Sequence, residues 1–340
     1  MPDHFIAFWN LENLFAPADF PRPEALARKI GGDLKGWDDA LFRRKLAQLA
    51  SVIGQMNGGA GPDILGVCEV ENEYVLTELA AVIEAACGRE YRVAHHDSEL
   101  DRRGIDTAFI YDAAKFDAPA ETLFSHFVLR RTGTRDIFQA TFRSRAGNDL
   151  VLLCNHWPSR SGGAAESAGF RATAGETLAY WHQRIRQEVG DDAAIIALGD
   201  FNDDPFDPSI TFNALATRER GDVERATSAP RLFNMSWRYL TQRATDNRGN
   251  ERAIDGTLYF RGNGNVFDQI LVSKPLLTGG GPFAAREETA QIELIPDMVS
   301  HRVSEGPIRF GLPRGDVAKN VNQDGFSDHF PVSVIVSETV

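Results

Sequence analysis

The sequence predicts a mixed α/β fold, an expectation carried by three patterns. Short apolar runs recur along the whole chain, stretches of helical period lie between them, and several runs are near-continuously apolar, as in strands covered on both faces. The runs read as strands are FIAFWN (5–10), DILGVCEV (63–70), DTAFIY (106–111), DLVLLCNH (149–156), AAIIALGD (193–200), FDQILVS (267–273) and PVSVIVS (331–337). A helix is expected over 39–56, where Leu41, Leu46, Leu49, Val52 and Ile53 repeat at helical spacing behind the capping-type Asp38. Similar periodicity marks 73–87 and the region around 170–188. Early strands are separated by helices, whereas 121–143 reads as strand pairs joined by short connections, so the sheets should be mixed rather than purely parallel. Segments 16–37 and 275–325, rich in Gly, Pro and polar residues, are expected to be long surface loops. With no internal repeat and no low-complexity linker, one continuous domain over 1–340 is expected.

Composition narrows the function classes. At 43% hydrophobic and 25% charged, the chain has the makeup of a globular protein with a substantial core. No stretch approaches the roughly 18 consecutive apolar residues of a membrane span. MPDHFIAFWN lacks a basic n-region and an h-region, so a cytoplasmic location is the expectation, a processed secreted chain being the alternative. The three cysteines, Cys68, Cys87 and Cys154, cannot all pair, and no Cys/His spacing suggests structural zinc; they read as core thiols. A formal net charge of −12 argues against a tight DNA binder, which would present a basic face. It leaves room for an enzyme that visits a phosphodiester briefly, because carboxylates gathered around a cation add negative formal charge.

Chemistry-bearing residues stand at the ends of the apolar runs. Asn10 ends the first, Glu69 nearly ends the second and His156 ends the fourth. Asp200 and Asn202 follow IIALG, and Asp328 and His329 precede the last run. Ligand sites in α/β sheets open where strands pass into loops. One such residue is usually a loop cap; seven of them on five segments, in carboxylate, amide and imidazole types, point to a site. Oxygen donors from Glu, Asp and Asn select hard cations such as Mg²⁺ or Mn²⁺. A carboxylate can orient a water, and a histidine can move a proton near neutral pH.

The ordered set FWNLENLF (8–15), GVCEVEN (66–72), RRGIDTAFIY (102–111), NHWPSRSGG (155–163), LGDFNDDP (198–205), FDQILVS (267–273) and GFSDHFPV (325–332) resembles the endonuclease/exonuclease/phosphatase superfamily, in its DNase I-like, bacterial form. The resemblance spans about residues 5 to 337, with LGDFN and SDH its most specific pieces. It implies a four-layer α/β sandwich, two packed mixed sheets flanked by helices. It also implies Mg²⁺ or Mn²⁺ held by Glu69 with Asn10 and Asp328, and Asp200 orienting or deprotonating the attacking water. Asn202 would hold a phosphate oxygen or the metal site, and His156 would be a phosphate ligand or proton donor. His329 would act on the phosphoryl group with Asp268 fixing its tautomer. Arg103, Ser159, Arg160 and Arg171 look like phosphate contacts or residues bracing the site, with ordinary surface ion pairs as the competing reading.

Other positions keep two readings. Glu71 competes with Glu69 for the ligand role, although the family pattern favours Glu69. Trp9 and Trp157 suit either packing at strand ends or stacking on a base. His95 and His96 are adjacent, so on a strand they point to opposite faces and do not form a joint metal site. The expected function is metal-dependent hydrolysis of a phosphodiester, with nucleic acid as the substrate. The rivals are hydrolysis of small-molecule or lipid phosphoesters and a non-catalytic binding protein on the same fold.

Overall fold

The computed structural model describes residues 1–97, 104–128 and 135–339. The first sheet contains β1 (Asp3–Leu14), β2 (Ile64–Val70), β3 (Tyr91–His95) and β4 (Asp106–Asp112). The second contains β5 (Phe116–Asp117), β6 (Phe124–His126), β7 (Ile137–Ser144), β8 (Asp149–His156), β9 (Ala194–Asp200), β10 (Ala216–Thr217) and β11 (Leu232–Asn234). Two short hairpins follow, β12 (Gln242–Thr245) with β13 (Glu251–Ile254) and β14 (Leu258–Phe260) with β15 (Asn263–Asn265). Then β16 (Asp268–Val272) returns to the second sheet, and β17 (Phe283–Ile292) and β18 (Val332–Glu338) complete the first. The first sheet runs β17-β18-β1-β2-β4-β3; the second runs β10-β11-β16-β9-β8-β7-β5, with β6 beside β7. Both are mixed: β1 pairs parallel with β2 and β8 with β9, whereas β2–β4 and β9–β16 are antiparallel.

The sheets pack face to face. Phe109 of β4 lies 5.8 Å and 5.3 Å, centroid to centroid, from Phe138 and Phe142 of β7. A Cβ on Gly66 of β2 would sit 2.6 Å from Leu198 Cδ1 of β9, so glycine is what lets the sheets approach there. On the outer face of the first sheet lie α2 (Asp39–Ile53) and α3 (Glu73–Cys87), after α1 (Glu24–Ile30). Asp38 and Asn72 cap α2 and α3 by accepting the Leu41 and Val75 N–H groups. The outer face of the second sheet carries α4 (Ala164–Val189), whose Ala174, Leu178 and Ile185 pack on Val151, Leu153 and Ile195. The result is the four-layer sandwich expected. No helix among the described residues is long and apolar enough to cross a membrane. Cys68 and Cys154 are buried free thiols, and burial pushes both well above the usual thiol range.

Two loop expectations need correction. Segment 275–325 contains the ten-residue β17, and 16–37 contains α1. β17 is an edge strand; its middle, Arg286-Glu287-Glu288, faces solvent, so it lacks the apolar signal of the inner strands.

Candidate active site

Strand register assembles the site. The parallel β8–β9 pairing sets His156 opposite Asp200, and the antiparallel β9–β16 pairing sets Asp268 opposite Asp200. Residues 44 and 68 positions apart thus form one row across the second sheet. Gly199, just before Asp200, permits this: a Cβ there would lie 2.2 Å from the Asn155 carbonyl oxygen. In the first sheet Asn10 pairs with Cys68, one residue before Glu69. There both strands leave regular register, and Glu12, Asn13 and Glu69 take positive φ of 53°, 56° and 61°. Such backbone is costly for residues with a Cβ and persists where surrounding contacts hold it. Here the Asn13 N–H donates to Glu69 Oε2 at 2.9 Å. The SDH segment is pinned from the same side: Ser327 Oγ donates to the Asn10 carbonyl at 2.7 Å, and Trp9 Nε1 to the His329 carbonyl at 2.8 Å.

The side chains then interlock. His329 Nδ1 donates to Asp268 Oδ2 at 2.8 Å, within the span of 61 positions expected to close. The opposite ring nitrogen, Nε2, is 3.9 Å from Asp200 Oδ2. Asp200 Oδ1 accepts the Asn202 N–H at 2.9 Å, and Oδ2 accepts Asn10 Nδ2 at 3.1 Å. His156 Nε2 stands 3.6 Å from Glu69 Oε1 and 3.7 Å from Asp200 Oδ2. Asn202 Nδ2 donates to the Trp157 carbonyl at 3.0 Å, so its amide is committed to the loop and its backbone N–H serves Asp200.

Burial sets the protonation states. Burial first, then the nearby Asp268 carboxylate, raises Asp200 to about 6, partly opposed by His329. It therefore remains a carboxylate at neutral pH with a basicity matched to taking a proton from water. Burial alone would lower His329, but Asp268, Asp200 and Asp328 outweigh it and hold the imidazole well above its ordinary value. Asp328 rises to about 7, from burial first and then from the Glu12 and Glu69 carboxylates.

These groups open into a cleft of about 1210 Å³. Glu69, His156, Asp200, Asn202, Asp328 and His329 line it, whereas Asn10 and Asp268 stand behind them. Ser159 is on the wall, its hydroxyl 2.8 Å from that of Ser161. Arg160 and Arg171 are not on the wall, correcting the expectation of phosphate contacts. Arg171 is 2% exposed, paired with Asp203 at 2.7 Å and donating to the Pro158 and Ala164 carbonyls. Arg160 is held by Asp203, Asp204 and Asp207 and lies over the Phe267 ring. The DDP run after LGDFN, which formal charge gave no reason to separate from the site, claims both arginines. Arg103 lies outside the described residues.

The competing ligand and stacking candidates also resolve. Glu71 pairs with Arg22 at 2.5 Å and accepts the Ala16 N–H, bracing the loop after β1. Trp9 and Trp157 are buried; Trp157 donates to Asn155 Oδ1 at 3.0 Å and packs against Phe201. Lys29 of α1, Tyr259 and Phe260 of the β14–β15 hairpin, and Phe170 of α4 also stand on the cleft wall, with no sequence pattern to announce them. Glu12 is a further residue missed in the sequence. It is buried, bound by Arg309 and the Phe310 N–H, and crowds Asp328. Its place inside NLENLF was the available signal.

A divalent cation fits the Glu69, Asp328 and Asn10 corner. Asp328 makes no side-chain hydrogen bond among the described residues, its nearest cation being His329 Nε2 at 4.0 Å. Among the described residues Glu69 Oε1 makes no hydrogen bond and has His156 Nε2 at 3.6 Å, and Asn10 Oδ1 keeps a lone pair after accepting the Glu12 N–H. Crowded carboxylates short of donors are relieved by a hard cation. A second group, Asp200, Asp268 and His329, brings one ligand atom from each within 4.8 Å. The short Asp268–His329 hydrogen bond accounts for that grouping without an ion.

The sequence matches the Endonuclease/Exonuclease/phosphatase family over residues 5–338. Solved structures similar in fold include a Bacteroides thetaiotaomicron protein described by that family name. It has 16% identity and a TM-score of 0.55, covering 100% of this chain and 99% of that one. The mannosyl-6-phosphatase of the same organism has 15% identity and a TM-score of 0.55, covering 98% and 99%. The human Nocturnin catalytic domain has 15% identity and a TM-score of 0.50, covering 99% and 95%. No curated protein sequence matches.

Proposed function

This chain belongs to the endonuclease/exonuclease/phosphatase family of phosphoric-ester hydrolases, and from that premise we propose that it is a divalent-metal-dependent phosphodiesterase acting on nucleic acid. The observation that carries the reading is the row His156–Asp200–Asp268 meeting His329 in one cleft, with Glu69 3.6 Å from His156 Nε2 and Asp328 4.0 Å from His329 Nε2. Asp200, fixed by Asn10 and the Asn202 N–H, aims a carboxylate of near-neutral basicity at water. His329, kept protonated by Asp268, presents Nε2 to the developing phosphoryl charge. His156, beside both Glu69 and Asp200, is placed to hold a phosphate oxygen. Mg²⁺ or Mn²⁺ held by Glu69, Asp328 and Asn10 would supply neutralisation of a phosphoryl oxygen and of the leaving oxygen.

Nucleic acid is favoured by the rim. Phe260 is 60% exposed beside the cleft, Tyr259 stands on the same wall, and Lys29 adds a positive charge. An exposed ring at a phosphodiester site offers a stacking surface for a base. Hydrolysis of small phosphoesters is the second reading, supported by the net charge of −12 and by the pairing of Arg309 with Glu12. Purified protein assayed with Mg²⁺ or Mn²⁺ on single-stranded DNA, duplex DNA, RNA, bis(p-nitrophenyl) phosphate and p-nitrophenyl phosphate separates them. The proposal expects a nucleic acid to be cleaved fastest and the bis-ester faster than the mono-ester. Faster release from the mono-ester, with nucleic acids untouched, would overturn it.

A further inference from the structure

At the end of the second sheet opposite the catalytic row is a second, smaller cavity of about 170 Å³. It opens where β9 begins and where β16 runs into Ser273. From Ala194 to Asp200 the strand rises about 20 Å at ~3.3 Å per residue, so the cavity is well separated from the cleft. Its wall carries Arg186, Arg231, Lys274 and His182, with Asp191 as the acidic member. Three fixed cations face one carboxylate, a surplus of positive charge in a protein of net −12. Asp191 is taken by Arg186 at 2.7 Å, and Lys274 Nζ donates to the Glu224 carbonyl. Arg231 makes no ion pair or hydrogen bond among the described residues, yet it is only half-exposed.

His182 supplies an independent sign. It projects from α4, is 2% exposed and lines the cavity, and neither ring nitrogen has a hydrogen-bond partner among the described residues, Nδ1 being buried outright. A buried imidazole nitrogen left unpaired costs free energy in proportion to its lost hydration, and native structures leave few such groups without a reason. Burial and the neighbouring Arg186 hold the ring down to about 4, so it stays neutral near pH 7 and offers one N–H donor rather than a charge. The cavity is too small for a nucleotide chain and large enough for one tetrahedral anion with a short substituent.

We propose that this cavity is a second ligand site, taking a small phosphate-type oxyanion through the Arg231 guanidinium and the His182 ring. A guanidinium binds such an anion through two parallel N–H bonds, and a neutral imidazole N–H adds a third. Ligand and catalytic cleft then lie at opposite ends of the same two strands, β9 and β16.

The test is titration of the intact protein with inorganic phosphate, read by calorimetry and by the ¹⁵N shifts of the His182 ring. Phosphate also resembles the product of the catalytic cleft, so the variants are chosen to separate the two. Wild type should show a site whose occupancy moves the His182 resonances. Arg231→Gln should weaken that site about tenfold or more, leaving phosphodiesterase kcat unchanged. His182→Phe, which fills the ring space without a donor, should weaken the same site even if Arg231→Gln is hard to prepare. The proposal is overturned if the His182 resonances do not respond to phosphate, or if both variants bind it as wild type does.

Discussion

Replacing Asp268 by Asn tests the dyad without changing its shape. Asp268 is fully buried, and its Oδ2 accepts from His329 Nδ1 at 2.8 Å. Hydrogen bonds to charged groups contribute about 1.5–3 kcal/mol. At roughly 1.4 kcal/mol per pH unit, their loss brings the His329 pKa down by about 1–2 pH units. The sign follows from the raised value in the native enzyme: His329 is protonated below its pKa, and activity that needs the imidazolium falls above it. In Asp268→Asn the alkaline limb of the pH–rate profile should move about 1–2 pH units toward acid. Above the variant's limb, kcat should fall roughly tenfold for each pH unit the limb has moved, on the order of 10–100-fold. The assay is hydrolysis of bis(p-nitrophenyl) phosphate at saturating Mn²⁺ from pH 5 to 10, with a thermal melt to show the variant is folded. Because the two residues act as a unit, Asp268→Asn combined with His329→Ala should cost little more than His329→Ala alone. An alkaline limb that stays in place, or a double variant whose loss is the product of the single losses, refutes the coupling.

Three further outcomes are expected. Asp200→Asn should lower kcat on the order of 10²-fold or more with an unchanged melting temperature, since Asp200 ends β9 facing the cleft; near-native kcat would remove it from the role of water-orienting base. Arg171→Met, which leaves the buried Asp203 short of one partner, should destabilise by about 3–5 kcal/mol in urea unfolding while leaving KM little changed; a large rise in KM without loss of stability would return Arg171 to substrate binding. His182, held at about 4 when folded and near 6.5 when unfolded, makes stability fall as pH drops from about 6.5 to 4, by about 3 kcal/mol in phosphate-free buffer. His182→Phe should flatten that fall, and an equally steep loss in the variant would place its origin elsewhere.

The inner strands were legible because they are covered on both faces and therefore read as unbroken apolar runs. β8 and the predicted run 149–156 coincide, and the other six differ from their strands by a few residues at their ends. The polar residues ending those runs were legible for the same reason: a carboxylate after IIALG has no packing role to explain it. The edge strand β17 and the hairpins around 242–265 were not legible, since short, exposed strands carry little period-2 signal. That blind spot hid the Phe260 rim. Arg160 and Arg171 were misplaced by a different cause. The motif NHWPSRSGG suggested phosphate contacts, but partner choice is set by tertiary structure, and Asp203, Asp204 and Asp207 pair with these arginines away from the cleft wall. The left-handed backbone at Glu12, Asn13 and Glu69 could not be read from residue type, because the contacts that hold it come from distant segments: Glu69 accepts the Asn13 N–H, and Glu12 accepts from Arg309 and the Phe310 N–H.

The central claim, that Glu69 and Asp328 hold a divalent cation for hydrolysis at Asp200 and His329, is tested most directly by one measurement. It is kcat/KM for bis(p-nitrophenyl) phosphate in excess chelator and after return of Mg²⁺ or Mn²⁺, for wild type and Glu69→Gln side by side. Wild type should be inactive in chelator and recover fully with either metal, while Glu69→Gln should need far more metal to recover and reach a lower plateau. Full wild-type turnover in chelator, or a Glu69→Gln metal dependence equal to that of wild type, would contradict the account.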